Sequence, residues 1–174
     1  MATRPSGQSN ILDFGKDGAR VDPIFARIRA DAEESVHREP DLAGFLYAKI
    51  LIHDSLERAI VHRVAARLDH ADLAADMIEH AYSGVLARDP AIGDAFRADL
   101  LAVFDRDPAC TRMMEPLLYF KGFHAIQTHR LAHALWQSGR KDFALYLQSR
   151  SSAVFQTDIH PAAKFGKGIF LDHG

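Results

Sequence analysis

The stretch DPAIGDAFRADLLAV, residues 89–103, shows most clearly the pattern on which the fold prediction rests. Its opening pair, Asp89-Pro90, places an N-cap residue before a proline at the first helical position, which is a common start for an α-helix. The large apolar side chains that follow share one helix face: Ile92, Phe96, Leu100 and Val103. Such a face is normally buried against a partner, so the stretch predicts helices packed on helices.

Four segments before this one carry the same apolar period, and each begins at or next to an aspartate. They open at Asp22-Pro23, Asp41, Asp54-Ser55 and about Asp72. The first is predicted to end at Glu39-Pro40, because the residue before a proline is disfavoured in the α-helical conformation. The succession of amphipathic segments favours an all-helical domain.

Two further helices are predicted after the interruption at residues 105–108, one over about 116–136 and one over about 142–150. Residues 21–152 are therefore predicted to form an all-helical amino-terminal domain. The first twenty residues, 1–20, contain too little apolar surface to offset the entropy of ordering them, and we expect a disordered leader there.

Residues 153–174 follow a different pattern. Residues 154–157 have β-type composition, and Ile159, Phe165 and Leu171 then recur at every sixth position among small residues. This period is typical of a parallel β-helix, in which each short side of the coil points one anchor inward. Only about one coil is present, whereas a solenoid needs several stacked repeats. The sequence predicts a mainly α amino-terminal domain followed by the first coil of a left-handed parallel β-helix (hexapeptide repeat), and a carboxy-terminally truncated chain.

The composition excludes several classes of protein. The 174 residues have 21 basic and 23 acidic side chains, so no strong charge points to nucleic acid or to an anionic membrane. The longest apolar runs are far shorter than the roughly 20 residues of a membrane span, and no secretory signal is visible. The single cysteine, Cys110, excludes an intrachain disulfide. We therefore expect a soluble, cytoplasmic protein.

Three segments together resemble bacterial serine O-acetyltransferase. They are PLLYFKGFHA at 116–125, leading into His129, Arg130 and His133; FQTDIHPAAKFGKG at 155–168; and LDH at 171–173. The helical region before them also fits the amino-terminal domain of that family. The resemblance implies transfer of an acetyl group from acetyl-CoA to the hydroxyl of L-serine, giving O-acetyl-L-serine for cysteine biosynthesis. Acetyl-CoA would be a co-substrate, with no permanently bound cofactor.

The resemblance also assigns the site residues. It makes His173 the general base, because the serine hydroxyl must lose its proton as the oxygen attacks and an imidazole accepts protons well near pH 7. Asp158 would orient that imidazole and fix its tautomer. Asp107 and Asp172 would bind the serine ammonium, although turn chemistry alone also explains an aspartate at position 107. Residues that bind CoA would lie beyond Gly174.

The partners implied by the resemblance are a homo-oligomer, L-cysteine and a second enzyme. The family forms a dimer of trimers, is inhibited by L-cysteine at the serine site, and binds O-acetylserine sulfhydrylase through a carboxy-terminal tail that is absent here. We expect this chain alone to fold through its helices but to be catalytically inactive. Two alternatives stay open: a non-catalytic helical oligomerisation module, or a hexapeptide acyltransferase with another acceptor.

Other polar residues are predicted to be structural. His129 and His133 are spaced i, i+4 with His124 nearby, but no carboxylate completes a metal site, so a packed or solvated histidine face is favoured and no metal is expected. Cys110 lacks an activating neighbour and is predicted to be inert. His160, beside Asp158 and Pro161, is also expected to be structural.

Overall fold

The structure is a computed structural model that describes residues 22–173, and these residues confirm the prediction of a mainly helical fold. The α-helices are α1 (Pro23–Arg38), α2 (Ala43–Leu46), α3 (Leu56–Leu68), α4 (Ala75–Arg88), α5 (Ala91–Arg106), α6 (Met114–Leu118), α7 (Lys121–Gln137) and α8 (Lys141–Phe155). No β-strand occurs in this part of the chain, and none of its helices has the length and apolar character needed to cross a membrane. The predicted leader lies outside the described residues.

The structure confirms two of the predicted helix caps. The Asp22 carboxylate accepts hydrogen bonds from the backbone N–H groups of Ile24 and Phe25, at 3.0 and 3.3 Å, and so caps α1. The Ser55 hydroxyl accepts one from the N–H of Arg58 at 3.3 Å and caps α3. These caps confirm the first and third predicted segments.

The second predicted segment is helical but not uniform. A 3₁₀ turn (Pro40–Leu42) comes before α2, and a π-helical turn (Tyr47–Leu51) follows it. Both Leu46 and Ile50 are fully buried. The guanidinium of Arg29 on α1 donates to the carbonyl of Leu51 at 2.8 Å, which holds the end of the π-helical turn against α1.

The single helix predicted over residues 116–136 is wrong, because the chain breaks between α6 and α7. Phe120 adopts an extended conformation at φ −84°, ψ 110°. The break releases the carbonyl of Leu118, which accepts hydrogen bonds from Nε and Nη2 of Arg63 on α3, at 3.0 and 2.6 Å. The apolar period continues through the break, so it gives no sign of it.

The prediction of a β-type segment at residues 154–157 is also wrong. Helix α8 continues to Phe155, whose side chain is fully buried, and Gln156 ends the helix in the left-handed conformation at φ 58°. The His124 ring lies 5.6 Å from the Phe155 ring. Packing in the core therefore outweighs the β propensity of these residues. The rest of the chain, residues 157–173, is non-helical, and we name it the carboxyl-terminal segment.

Helix α7 is the centre of the domain. All its residues from Gly122 to His129 are buried, as expected for a helix surrounded on every side. It packs against α3, α4, α5, α6 and α8. Its polar side chains therefore need partners inside the protein, and several of these belong to the carboxyl-terminal segment.

Candidate active site

Two histidines of α7 hold the start of the carboxyl-terminal segment. Nδ1 of His133 lies 2.7 Å from the carbonyl oxygen of Pro161, and Nε2 of His129 lies 3.0 Å from that of Ala163. A carbonyl oxygen only accepts, so each of these ring nitrogens donates. The i, i+4 spacing puts both rings on one helix face, where they donate hydrogen bonds to the carbonyls of Pro161 and Ala163. The expectation of a packed histidine face is confirmed.

Two histidines of α7, His124 and His129, are held in the neutral form near pH 7. Burial lowers the pKa of His129 to about 4 and that of His124 to about 3. Nε2 of His124 donates to the carbonyl of Leu117 at 2.7 Å, and the second ring nitrogen of each histidine is buried without a partner. Within residues 22–173, no group of three histidine, cysteine or acidic side chains is placed to hold a metal ion.

A buried carboxylate on α5 holds the middle of the segment. Asp99 is fully buried and accepts hydrogen bonds from the guanidinium of Arg130 at 2.6 to 2.9 Å, and from the Gln127 amide at 3.0 Å. Its Oδ1 also accepts from the backbone N–H groups of Gly168 and Ile169, both at 2.9 Å. A carboxylate is stable in such a place only because its charge is paired and its lone pairs are occupied.

Three more contacts fix the segment between Gly166 and Leu171. Nη2 of Arg130 donates to the carbonyl of Gly166 at 2.9 Å, and Nη1 of Arg106 donates to that of Gly168 at 3.2 Å. The carbonyl of Leu171 lies against Gly122, where a Cβ atom would overlap it. The segment is thus anchored at intervals from Pro161 to Leu171.

The predicted ammonium-binding residue Asp107 lies at the C-terminal end of α5. Its side chain is half-buried, and Oδ1 accepts a hydrogen bond from the N–H of Ala109 at 2.8 Å. This contact is the ordinary turn chemistry considered from the sequence. The carboxylate has a second oxygen through which it could contact a ligand.

The other predicted residues are exposed. His173 is 93% exposed in its side chain, adopts the left-handed conformation at φ 54°, and has its Nε2 3.4 Å from Oδ1 of Asp172. Asp158 accepts a hydrogen bond from the Gln148 amide of α8 at 2.7 Å. In the part of the chain described here, no hydrogen bond or ion pair joins Asp158 to His173. The structure therefore brings Asp172 and His173 together but not the predicted base and its orienting carboxylate.

Cys110 and His160 have structural surroundings, as expected. Burial raises the pKa of the Cys110 thiol to about 11, with the nearby carboxylates of Glu115 and Asp107 adding to the shift, so the reactive thiolate is disfavoured. Nδ1 of His160 accepts from the N–H of Ala162 at 3.1 Å, and its ring packs edge-on against Trp136 at 5.1 Å.

Asp99 and Gly122 are functional residues that the sequence pattern does not predict. A signal for Asp99 was present, because it lies on the apolar face of α5 between Phe96 and Val103, where an acidic side chain needs a buried partner. Arg130 was noted only as part of a resembling segment. The role of Gly122 has no sequence signal, since it depends on which backbone comes close to it.

An open cleft of about 670 Å³ lies next to these anchors. Its lining includes Arg88, Arg130, His133, Phe165 and Lys167. The guanidinium of Arg130 is already paired with Asp99, so Arg88 and Lys167 provide most of the positive charge at the rim.

Comparison with known proteins gives a consistent result. Residues 24–128 match the family described as "Serine acetyltransferase, N-terminal". Serine acetyltransferase 2 of Arabidopsis thaliana is 48% identical over 166 residues, which cover 95% of this chain and 50% of that protein. Probable serine acetyltransferase 2 of Oryza sativa subsp. japonica is 46% identical over 156 residues, covering 90% of this chain and 44% of that protein.

Solved structures agree with these relatives. The serine acetyltransferase of Brucella abortus strain S19 superposes with a TM-score of 0.87 and 58% identity, covering 88% of this chain and 63% of that one. The same values hold for its complex with coenzyme A, with 62% of that chain covered. A serine acetyltransferase in complex with cysteine has a TM-score of 0.84 and 42% identity, covering 86% of this chain and 62% of that one. The chain spans about half the length of the curated relatives it matches. On this evidence the chain belongs to the serine acetyltransferase family, and residues 24–128 are the amino-terminal domain of that family.

Proposed function

We propose that the protein is a serine acetyltransferase, which transfers the acetyl group of acetyl-CoA to the hydroxyl of L-serine and so supplies cysteine biosynthesis. The observation that carries the proposal is the 58% identity to the Brucella abortus enzyme across 88% of this chain. Relatives crystallised with coenzyme A and with cysteine support acetyl-CoA as co-substrate and L-cysteine as inhibitor. The identity to the Brucella abortus enzyme, above that to the plant relatives, supports a bacterial source.

His173 is the proposed general base. Its exposed imidazole takes the hydroxyl proton of serine while the oxygen attacks the thioester carbonyl. The C–O bond forms, the C–S bond breaks, and the leaving thiolate of CoA takes the proton back from the imidazolium. Asp158 is the proposed orienting carboxylate. For this role it must exchange its hydrogen bond to Gln148 for one to the imidazole. Asp158 and His173 are separated in the chain by about one coil of a left-handed β-helix, and the stacking of successive coils would bring them together.

Asp107 and Asp172 are the proposed partners of the substrate ammonium. Asp172 precedes His173 in the chain, and Asp107 ends helix α5, which anchors the carboxyl-terminal segment. L-Cysteine carries the same ammonium and carboxylate as L-serine, which explains competition at one site.

The remaining proposals concern the whole protein. The helical domain predicted over residues 21–152 reaches the end of α8 at Phe155, and we expect the residues after it to begin the β-helix predicted over 153–174. We also expect a cytoplasmic dimer of trimers that binds O-acetylserine sulfhydrylase. The family resemblance of the sequence supports these expectations.

The test measures CoA release that depends on L-serine, with protein expressed from the complete reading frame. The variant His173→Ala should lower kcat by at least ~10²-fold, because the proton then has no positioned acceptor. Because the His173 side chain is exposed, the far-ultraviolet spectrum of the variant should match that of the unaltered protein. The matched control His80→Ala changes an exposed histidine on α4 and should keep full activity.

Three results would contradict the proposal. A loss below about threefold in His173→Ala would exclude the imidazole as base. Acetylation of a sugar or of another amine, but not of serine, would favour the alternative of a hexapeptide acyltransferase with another acceptor. Protein that releases no CoA with any acceptor would leave the oligomerisation module as its function.

A further inference from the structure

Helix α5 positions two carboxylates of the candidate site. Asp107 stands at its C-terminal end, and the buried Asp99 lies about two turns earlier, or roughly 12 Å along the axis. One helix therefore holds a proposed substrate-binding residue and the anchor of the carboxyl-terminal segment.

Helix α5 contacts the segment at the two peptide groups on either side of the Gly168 Cα atom. Their N–H groups, at Gly168 and Ile169, both point at Oδ1 of Asp99, and the carbonyl of Gly168 accepts from Arg106. Gly168 has φ 76°, a conformation that glycine adopts without strain and that turns successive N–H groups toward one anion. The carboxylate of Asp99 thus fixes both the position and the orientation of the chain here.

The segment is short between this anchor and the proposed chemistry. Asp172 follows Ile169 by three residues, so it lies at most about 10 Å further along an extended chain. The contact of the Leu171 carbonyl with Gly122 restrains the intervening backbone from the other side. Without the anchor at Gly168 and Ile169, the backbone leading to Asp172 and His173 would lose its restraint on one side.

From this arrangement we propose that Asp99 is a positioning residue for acetyl transfer, which sets the place of Asp172 and His173 relative to Asp107. The inference rests on the proposed function. Asp99 touches no substrate itself and acts through the backbone of Gly168 and Ile169. Its pairing with Arg130, which also holds Gly166, extends the same control to the preceding turn.

The test begins with Asp99→Asn in protein from the complete reading frame. An amide nitrogen cannot accept a hydrogen bond, so one side of the new side chain must face donors, either the two backbone N–H groups or Arg130 and Gln127. We expect kcat/KM for serine to fall at least ~10-fold through both a higher KM and a lower kcat, while KM for acetyl-CoA stays within about twofold. Amide hydrogen exchange over residues 166–173 should become at least ~10-fold faster.

A second variant guards against simple unfolding. Asp99→Leu with Arg130→Met removes both charges of the buried pair together, so no buried charge is left unpaired and the fold should persist. The variant also leaves the two N–H groups without an acceptor, so the same kinetic loss should appear. The matched control is Glu57→Gln, which weakens the Arg97 to Glu57 ion pair of 2.6 Å near the other end of α5. It should lower stability without changing the serine kinetics.

The outcomes separate the inference from the function on which it rests. If exchange at residues 166–173 is unchanged in both Asp99 variants, the anchoring role is wrong. If exchange accelerates while the serine kinetics stay unchanged, or if Glu57→Gln gives the same kinetic loss, the positioning role is wrong but the proposed function stands. If the unaltered protein does not acetylate serine, the proposed function fails whatever the exchange shows, and the positioning role fails with it.

Discussion

Gly122 lies directly against the backbone of the carboxyl-terminal segment. It is the second residue of α7, and its missing side chain leaves room for the carbonyl of Leu171, the residue before Asp172. A Cβ atom there would meet backbone rather than the movable end of a side chain, so the collision cannot be relieved by a rotamer change. The identity of one small residue therefore decides whether the segment can dock.

Gly122→Ala should release the end of the segment. We expect the free energy of unfolding to fall by about 1–3 kcal/mol and amide exchange at residues 169–173 to accelerate, because the segment must move away. The matched control is Gly84→Ala inside α4, where the nearest atom to a new Cβ is Nη1 of Arg88 at 3.6 Å. The control should stabilise the protein by up to about 1 kcal/mol through better helix propensity. If both variants stabilised the protein equally, the close contact at Gly122 would be refuted.

Two buried histidines of α7, His124 and His129, make the stability of the folded protein depend on pH. His124 and His129 bind protons in the folded protein only near pH 3 and pH 4, whereas an unfolded histidine does so near its ordinary pKa of 6.5. Below pH 6.5 the unfolded chain therefore binds more protons than the folded one. Their contribution to stability is complete above pH 6.5 and is lost as the pH falls toward 4.

The slope of this loss is up to about 1.4 kcal/mol per pH unit for each of the two histidines. Urea unfolding measured at intervals between about pH 7 and pH 5 should show it. His129→Gln keeps a donor for the carbonyl of Ala163 and should remove about half of this slope. His80→Gln, an exposed change on α4, should leave the slope as it is. If the free energy of unfolding depended on pH equally in His129→Gln and in the unaltered protein, His129 would not contribute to the pH dependence.

The differences between predicted and observed helices have specific physical causes. Caps at Asp22 and Ser55 act within one turn, so local sequence is enough to predict where α1 and α3 begin. The break before α7 depends on Arg63, which is distant in sequence, and the extension of α8 depends on burial of Phe155 by neighbouring helices. Neither cause can be read from the segment concerned.

The described part of the molecule, residues 22–173, is a helical platform with an extended segment attached to its surface. Helices α5 and α7 supply the anchors described above between Pro161, at His133, and Leu171, at Gly122, and α8 holds Asp158 through Gln148. The helical domain therefore does more than fill the amino-terminal half of the chain. It fixes the end of α5, at Asp107, and the residue pair Asp172-His173 in one framework.

The candidate site was only partly predictable from the sequence. The roles of Asp107, Asp172 and His173 came from the family resemblance, because an aspartate in a turn or a histidine in an exposed segment has no distinguishing pattern. Asp99 could have been singled out as an acidic residue on an apolar helix face, but not the two backbone N–H groups that it binds. Those partners depend on the path of the segment across α5, which packing determines.

Under the proposed function, Asp107 and the Asp172-His173 pair form one amino-acid site on this framework, and calorimetric titration of L-cysteine can test this. With protein from the complete reading frame, Asp107→Asn should weaken cysteine binding at least ~10-fold, or about 1.4 kcal/mol, because the ammonium loses a charged partner. The matched control Asp105→Asn makes the same change of charge at an exposed position near the end of α5 and should bind cysteine as the unaltered protein does. Equal cysteine affinity in Asp107→Asn and the unaltered protein would contradict the account.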